Sequence, residues 1–226
     1  MGQLAPSTHR PVRLVIIGLG NPFPIGNGTK HSLGHWYVTK LAEELKLSWS
    51  LHLSSCAYVA TCEDRDLLLI HPMLPYNHNG WCVKRVYERH GFNSAATSTS
   101  SSSQLPLKSS PPAQPSHSPS PKMLVIHDDV DRKLGTYSFK LAGSALGNRG
   151  VKSVIDEMGS DGFWRLRIGI GRPNDRKSGK PTREKSAIIA HVMSKVTQSE
   201  RDILISEVFR PSLGEIMEMI VTDRTQ

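Results

Sequence analysis

A few polar residues of this chain have the types and placement that hydrolytic chemistry needs: Asn21, His31, Asn77, Asp128 and the pair Asn148-Arg149. A histidine beside a carboxylate is a proton acceptor for water, because the acid fixes the imidazole tautomer and raises its basicity. Asparagine amides both donate and accept, so they can hold a water or a substrate amide. No Ser or Cys lies in a nucleophile-elbow pattern, so the residues favour direct attack by water over an acyl-enzyme. The plainer alternative is that these side chains only cap helices and turns.

Such a site needs elements that bring distant residues together. Val15 to Gly34 reads VIIGLGNPFPIGNGTKHSLG, an apolar run closed by Gly and Pro and then a polar loop. The run predicts a buried strand over 12–20, with Asn21 at its C-terminal end. His31 to Leu47 carries Leu33, Trp36, Tyr37, Leu41 and Leu45 at helical spacing, which predicts a helix opening at His31. Strands are expected at 56–61 and 66–70 around the turn Glu63-Asp64-Arg65, with His71-Pro72 ending the second. A helix is expected from Asn77 to a stop at Gly91. Further strands are expected at 122–127, 136–141 and 164–170, with Arg165 and Arg167 sharing one face of the last. A helix is expected at 151–158, and a helical C-terminal third at 199–220 broken at Arg210-Pro211. Alternation of this kind predicts an α/β fold: a single domain, a mixed twisted sheet surrounded by helices, with ligands bound at strand C-terminal ends.

Residues 94–121 shift abruptly to Ser, Pro, Thr and Gln. Such a composition buries too little apolar surface to offset its ordering entropy, so a disordered insertion is expected. Because KMLVIH follows at once as a strand pattern, the insertion interrupts one domain spanning 11–222. Recurrent Ser-Pro dipeptides leave a phosphorylated docking segment as the alternative.

With 226 residues and a net charge of +8, the chain is suited to a polyanionic partner. Cys56, Cys62 and Cys82 form no CxxC pair, which fits a reducing compartment and argues against a zinc site or a disulfide framework. No apolar run approaches the roughly 20 residues of a membrane helix. The N-terminal MGQLAPSTHRP has neither a signal core nor the basic character of a transit peptide, so an intracellular protein is expected. Gly18-Leu19-Gly20 suggests a dinucleotide loop, yet Pro22 and Pro24 follow where a third Gly should open a helix. No Walker A pattern occurs. Asp128, Asp129 and Asp131 lack the Gly and distal Glu of a calcium loop.

The blocks GLGNP…TKHSLG, PYNHNG, VIHDDVD, FKLAGS…GNRGVKSV and RLRIGIGRP resemble, in order and context, those of the bacterial-type peptidyl-tRNA hydrolase family. The resemblance spans nearly the whole chain outside the Ser/Pro segment and the termini. It implies a monomeric α/β domain that cleaves the ester between a peptide and the 3′ ribose of tRNA without metal or other cofactor. It assigns His31 as the base and Asp128 as its carboxylate partner. Asn21 is placed near the scissile ester, and Asn77 as a ligand of peptide and water. Lys140 and Arg167 match basic positions linked to acceptor-stem phosphates, and Arg165, Arg172, Arg176 and Lys177 are expected to extend that patch.

Departures from the family pattern matter equally. Where the family has His-Asn-Gly this chain reads Asn148-Arg149-Gly150, putting a residue that cannot accept a hydrogen bond at a substrate-binding position. Asn148 could substitute from next door, and Arg149 could grip a phosphate. Tyr76 stands where the family commonly has Met and is expected to touch substrate, offsetting an aromatic lost at Gly26. The partner expected is peptidyl-tRNA, with no membrane and no obligate protein partner, in cytosol or mitochondrion. The competing reading is a catalytically weak RNA-binding relative of the same fold.

Overall fold

The computed structural model describes residues 12–92, 121–175 and 178–222. The Ser/Pro segment, Pro121 aside, and the residues Arg176 and Lys177 lie outside them.

The first strand, β1 (Leu14–Gly18), is buried along its whole length. A strand without polar alternation needs cover on both faces, and it sits mid-sheet. Six more strands flank it: β2 (Ser50–His52), β3 (Ala57–Cys62), β4 (Leu67–Pro72), β5 (Lys122–Asp129), β6 (Tyr137–Leu141) and β7 (Trp164–Gly169). Their order is β2-β3-β4-β1-β5-β7-β6. The central run β4-β1-β5-β7 is parallel, while β2, β3 and β6 add antiparallel at the edges. Since β1 is hydrogen-bonded between β4 and β5, the chain before and after 93–120 builds one sheet.

Side chains of β1 divide by parity between two cores. Leu14 and Ile16 pack with Leu33, Tyr37, Val38 and Leu41 of α1 (Leu33–Glu44), and with Val208, Phe209 and Ile216 near the C-terminus. Val15 and Ile17 pack with Val83 and Val86 of α2 (Asn79–Arg89) and Val151 and Val154 of α3 (Arg149–Met158). Helices α4 (Lys185–Met193) and α6 (Arg210–Thr222) add Val192 and Ile216 to the first core, and a π-helical stretch Leu204–Phe209 joins α5 (Gln198–Ile203) to α6. The interruption expected at Arg210-Pro211 takes this form, a wider turn just before a proline that has no N–H to give.

A single one-turn 3₁₀ segment, Lys30–Ser32, precedes α1, so His31 sits before the α-helix rather than in it. Strand β2 and helix α4 were not legible in the sequence. The first is three residues long with two exposed, and the second has apolar residues without a clear face.

His35 of α1 stacks on His71 of β4 at 3.7 Å between ring centroids. Burial, then the neighbouring ring's charge, holds His35 well below the usual imidazole value of 6.5, and burial lowers His71 too. The unfolded chain therefore binds protons that the folded one refuses. The resulting stability is fully present above pH 6.5 and is lost as pH falls below it. We expect chemical denaturation to show a loss of about 1–2 kcal/mol between about pH 7.5 and 5.5, with a shallower slope in His71→Gln. Equal slopes would remove the pair as the cause.

Candidate active site

The parallel strands point their C-terminal ends to one edge, where β1 separates β4 from β5. At this crossing the chain leaves β1 for one side and later returns on the other, which opens a crevice above the strand ends. A cleft of about 690 Å³ occupies it, lined by Asn21, His31, Tyr76, Asn77, Asp128 and Asn148 among others.

His31 and Asp128, 97 residues apart, meet there. Nδ1 of His31 lies 3.0 and 3.1 Å from the two carboxylate oxygens of Asp128. Asp128 is almost fully buried, at 3% exposure, while a fifth of the His31 side chain reaches solvent. Burial alone would raise the Asp128 carboxyl, but the charge and hydrogen bond of His31, helped by His127 and Tyr76, outweigh it and hold it below the ordinary value. The acid is therefore ionised and accepts the proton on Nδ1, which leaves Nε2, across the ring, as the atom able to take another.

Asn21 is oriented by the fold. Its Oδ1 accepts from the Tyr76 backbone N–H at 2.9 Å, which turns Nδ2 toward Met193 and the cleft. Asn77 lies exposed on the cleft wall at the turn before α2. Asn148 caps α3, accepting from the Val151 N–H at 3.0 Å, so its amide nitrogen is directed at the Tyr76 hydroxyl, 2.9 Å away. Arg149 is exposed at the start of α3 on the cleft rim.

Two residues expected to touch substrate turn inward in this structure. Tyr76 is not a free contact surface for substrate. It is buried at 1% exposure, its hydroxyl donates to Asp128 at 3.0 Å, and its ring stacks on His31. Arg165 is turned inward as well. It is 2% exposed and its guanidinium donates to the carbonyls of Gly143 and Ser144, holding the loop before α3. Arg167 reaches the cleft but pairs with Asp129 at 2.6 Å, and Arg172 pairs with Asp131. Lys140 lines the cleft without an ion pair among the described residues.

Asn79 is a supporting residue that the sequence reading missed. Fully buried, it accepts from the Gly20 N–H at 2.9 Å and donates to the carbonyls of Leu74 and Pro75. It thereby ties the loop carrying Asn21 to the loop carrying Tyr76 and Asn77. An asparagine followed by Gly at a helix start was the available signal, and it reads equally well as an ordinary cap.

With this geometry in view, the likenesses to known proteins agree. The sequence profile of the peptidyl-tRNA hydrolase family matches residues 15–97 and 112–226. The chain belongs to that family. A peptidyl-tRNA hydrolase of Coprothermobacter proteolyticus is 28% identical over 93% of this chain and 90% of its own. One of Nitrosomonas europaea is 31% identical over 79% of this chain and 82% of its own. The crystal structure of peptidyl-tRNA hydrolase from Acinetobacter baumannii superposes with a TM-score of 0.65 at 20% identity, covering 94% of this chain and 96% of that one. This peptidyl-tRNA hydrolase family member thus shares its overall fold with that solved structure.

Removing the Asn79 side chain would strand one buried N–H and two carbonyls. Asn79→Ala should lower unfolding free energy by about 2–3 kcal/mol. Asn79→Asp, which sets a carboxylate against the same two carbonyls, should cost at least as much. Urea titrations of both variants check this, and an Asp variant as stable as wild type would contradict the assigned bonds.

Proposed function

We propose that this chain hydrolyses the ester joining a peptide to the 3′ ribose of tRNA, with His31 as general base and Asp128 as the group that orients it and stabilises the imidazolium that forms. The observation carrying the proposal is the contact between His31 and a buried, ionised Asp128 at the floor of the cleft. Nε2 takes a proton from water as the oxygen attacks the ester carbonyl. The tetrahedral intermediate then expels the ribose oxygen, which recovers the proton from the imidazolium. Peptide carboxylate and tRNA leave. In this reading Asn21 and Asn77, which both line the cleft, donate amide hydrogens to the oxyanion, a role worth about 3 kcal/mol per donor.

The nucleic-acid arm of the substrate is assigned to Lys140 and Arg149 at the rim, and not to Arg167, whose charge Asp129 already engages. They would hold phosphates without reading sequence, as an enzyme accepting many tRNAs requires. In this reading the chain acts as a monomer in the cytosol or the mitochondrion, with no metal or organic cofactor and no obligate protein partner. Among the described residues no helix is long and apolar enough to cross a membrane.

Hydrolysis of N-acetylaminoacyl-tRNA by wild type, His31→Ala and Asp128→Asn, alongside tRNA binding, tests the proposal. We expect the rate constant to fall about a hundredfold or more in both variants while binding persists. The wild-type rate should also fall on acidification, since a protonated imidazole cannot accept from water, with no added limb from Asp128 near neutrality. Binding with negligible turnover in all three proteins would instead identify an RNA-binding relative.

A further inference from the structure

The geometry points to Tyr76 as a positioning residue for this reaction, which holds Asp128 through its hydroxyl and His31 through its ring. This deepens the hydrolase reading above and rests on its assignment of His31 as base.

The direction of each hydrogen bond follows from an anchored end. Asn148 has its Oδ1 committed to the Val151 N–H, so its Nδ2 must face Tyr76. The phenol oxygen accepts there, and its own proton has Asp128 Oδ1 at 3.0 Å. Burial, then the Asp128 charge, keeps the phenol protonated by raising it well above its usual range. The chain therefore runs one way: α3 cap to amide, amide to phenol, phenol to carboxylate, with His31 Nδ1 donating from the other side.

The ring supplies a second constraint. It stacks on the His31 imidazole with centroids 3.6 Å apart and planes at 22°. Gly150 secures the other flank, since a Cβ there would strike the edge of the tyrosine ring. Base and acid are thus fixed by one side chain, which itself lies at 1% exposure.

Two consequences separate this role from mere packing. A phenol donating to Asp128 draws off carboxylate charge, so its loss makes the acid hold an imidazolium more tightly. The base is then protonated at higher pH. Loss of one anchor also leaves the acid less well aimed, which slows turnover without touching substrate affinity.

Tyr76→Phe removes the hydroxyl and keeps the stack. Asn148→Asp keeps an oxygen to cap α3 but presents a carboxylate to the phenol, turning its proton away from Asp128. In both, the acid limb of the pH–rate profile should move up by about half a unit and kcat at the plateau should fall about threefold to tenfold, with KM unchanged in Tyr76→Phe. Tyr76→Leu, losing hydroxyl and stack, should fall further. The low-field Nδ1 proton resonance of His31 reads the same contact without substrate and should move further downfield in Tyr76→Phe. Absence of turnover in wild type would sink the hydrolase reading while the spectrum still judged this contact. A Tyr76→Phe protein with an unmoved resonance overturns the proposal, as does a wild-type profile in that variant whatever its melting temperature.

Discussion

The site depends on two backbones lying closer than side chains allow. A Cβ on Gly18, at the end of β1, would collide with the carbonyl of Gly34 in the first turn of α1, and one on Gly34 would meet Leu19 and the carbonyl of Ile126. Only at such a distance does the 3₁₀ turn before α1 overhang the ends of both β1 and β5. That overhang carries His31 to Asp128 at 3.0 Å. A displacement of about 1 Å would break this contact, and misplacement of that size can cost catalysis as much as losing a group. The helix could not slide to compensate, because Leu33, Tyr37, Val38 and Leu41 are sealed into the core beneath it.

Burying a carboxylate at the end of a central strand is costly unless it is surrounded by donors. Asp128 and Asp129 solve this in different ways because successive strand residues face opposite sides. Asp128 receives His31 and Tyr76. Asp129 turns to the other face and meets Arg167 at 2.6 Å and Arg132 at 3.5 Å. One acid is thereby matched to a group that can change its proton state, the other to cations that cannot. Within HDDVD, one acid thus faces a titratable ring and its neighbour faces fixed cations.

What the sequence could reveal follows from how local each signal was. The continuous apolar runs LVII and MLVI gave away β1 and β5, because strands covered on both faces have no polar alternation to confuse the pattern. Strand β2 has two of its three residues exposed and held no such signal. Among site residues, His31 and Asp128 were legible as types that do acid–base work, and the family resemblance paired them. The burial of Tyr76 and Arg165 was not legible, for a common reason. Their side chains turn inward, toward Asp128 and toward the carbonyls of Gly143 and Ser144, and inward aim is set by tertiary packing that residue type does not encode. Asn148 shows the same limit in reverse. Its identity fits an N-cap, but only the folded chain reveals that capping α3 also aims its amide at Tyr76.

The charge of the chain overstates the field that a nucleic acid would meet at the cleft. Arg167 and Arg172 are paired with Asp129 and Asp131, and Arg165 is absorbed by the loop it holds. Lys140, Arg149, Arg183 and Lys185 line the cleft with no ion pair among the described residues. Phosphates would therefore meet a rim of unneutralised cations around an interior whose arginines are already engaged. Such a layout draws a polyanion to the edge while denying it the floor, where a phosphate beside Asp128 would compete for the imidazole. A neutral ester carbonyl would not compete with the carboxylate for the imidazole in this way. The separation of paired arginines inside from unpaired cations outside thus favours the sugar-linked ester, rather than the backbone next to it, as the group that reaches His31.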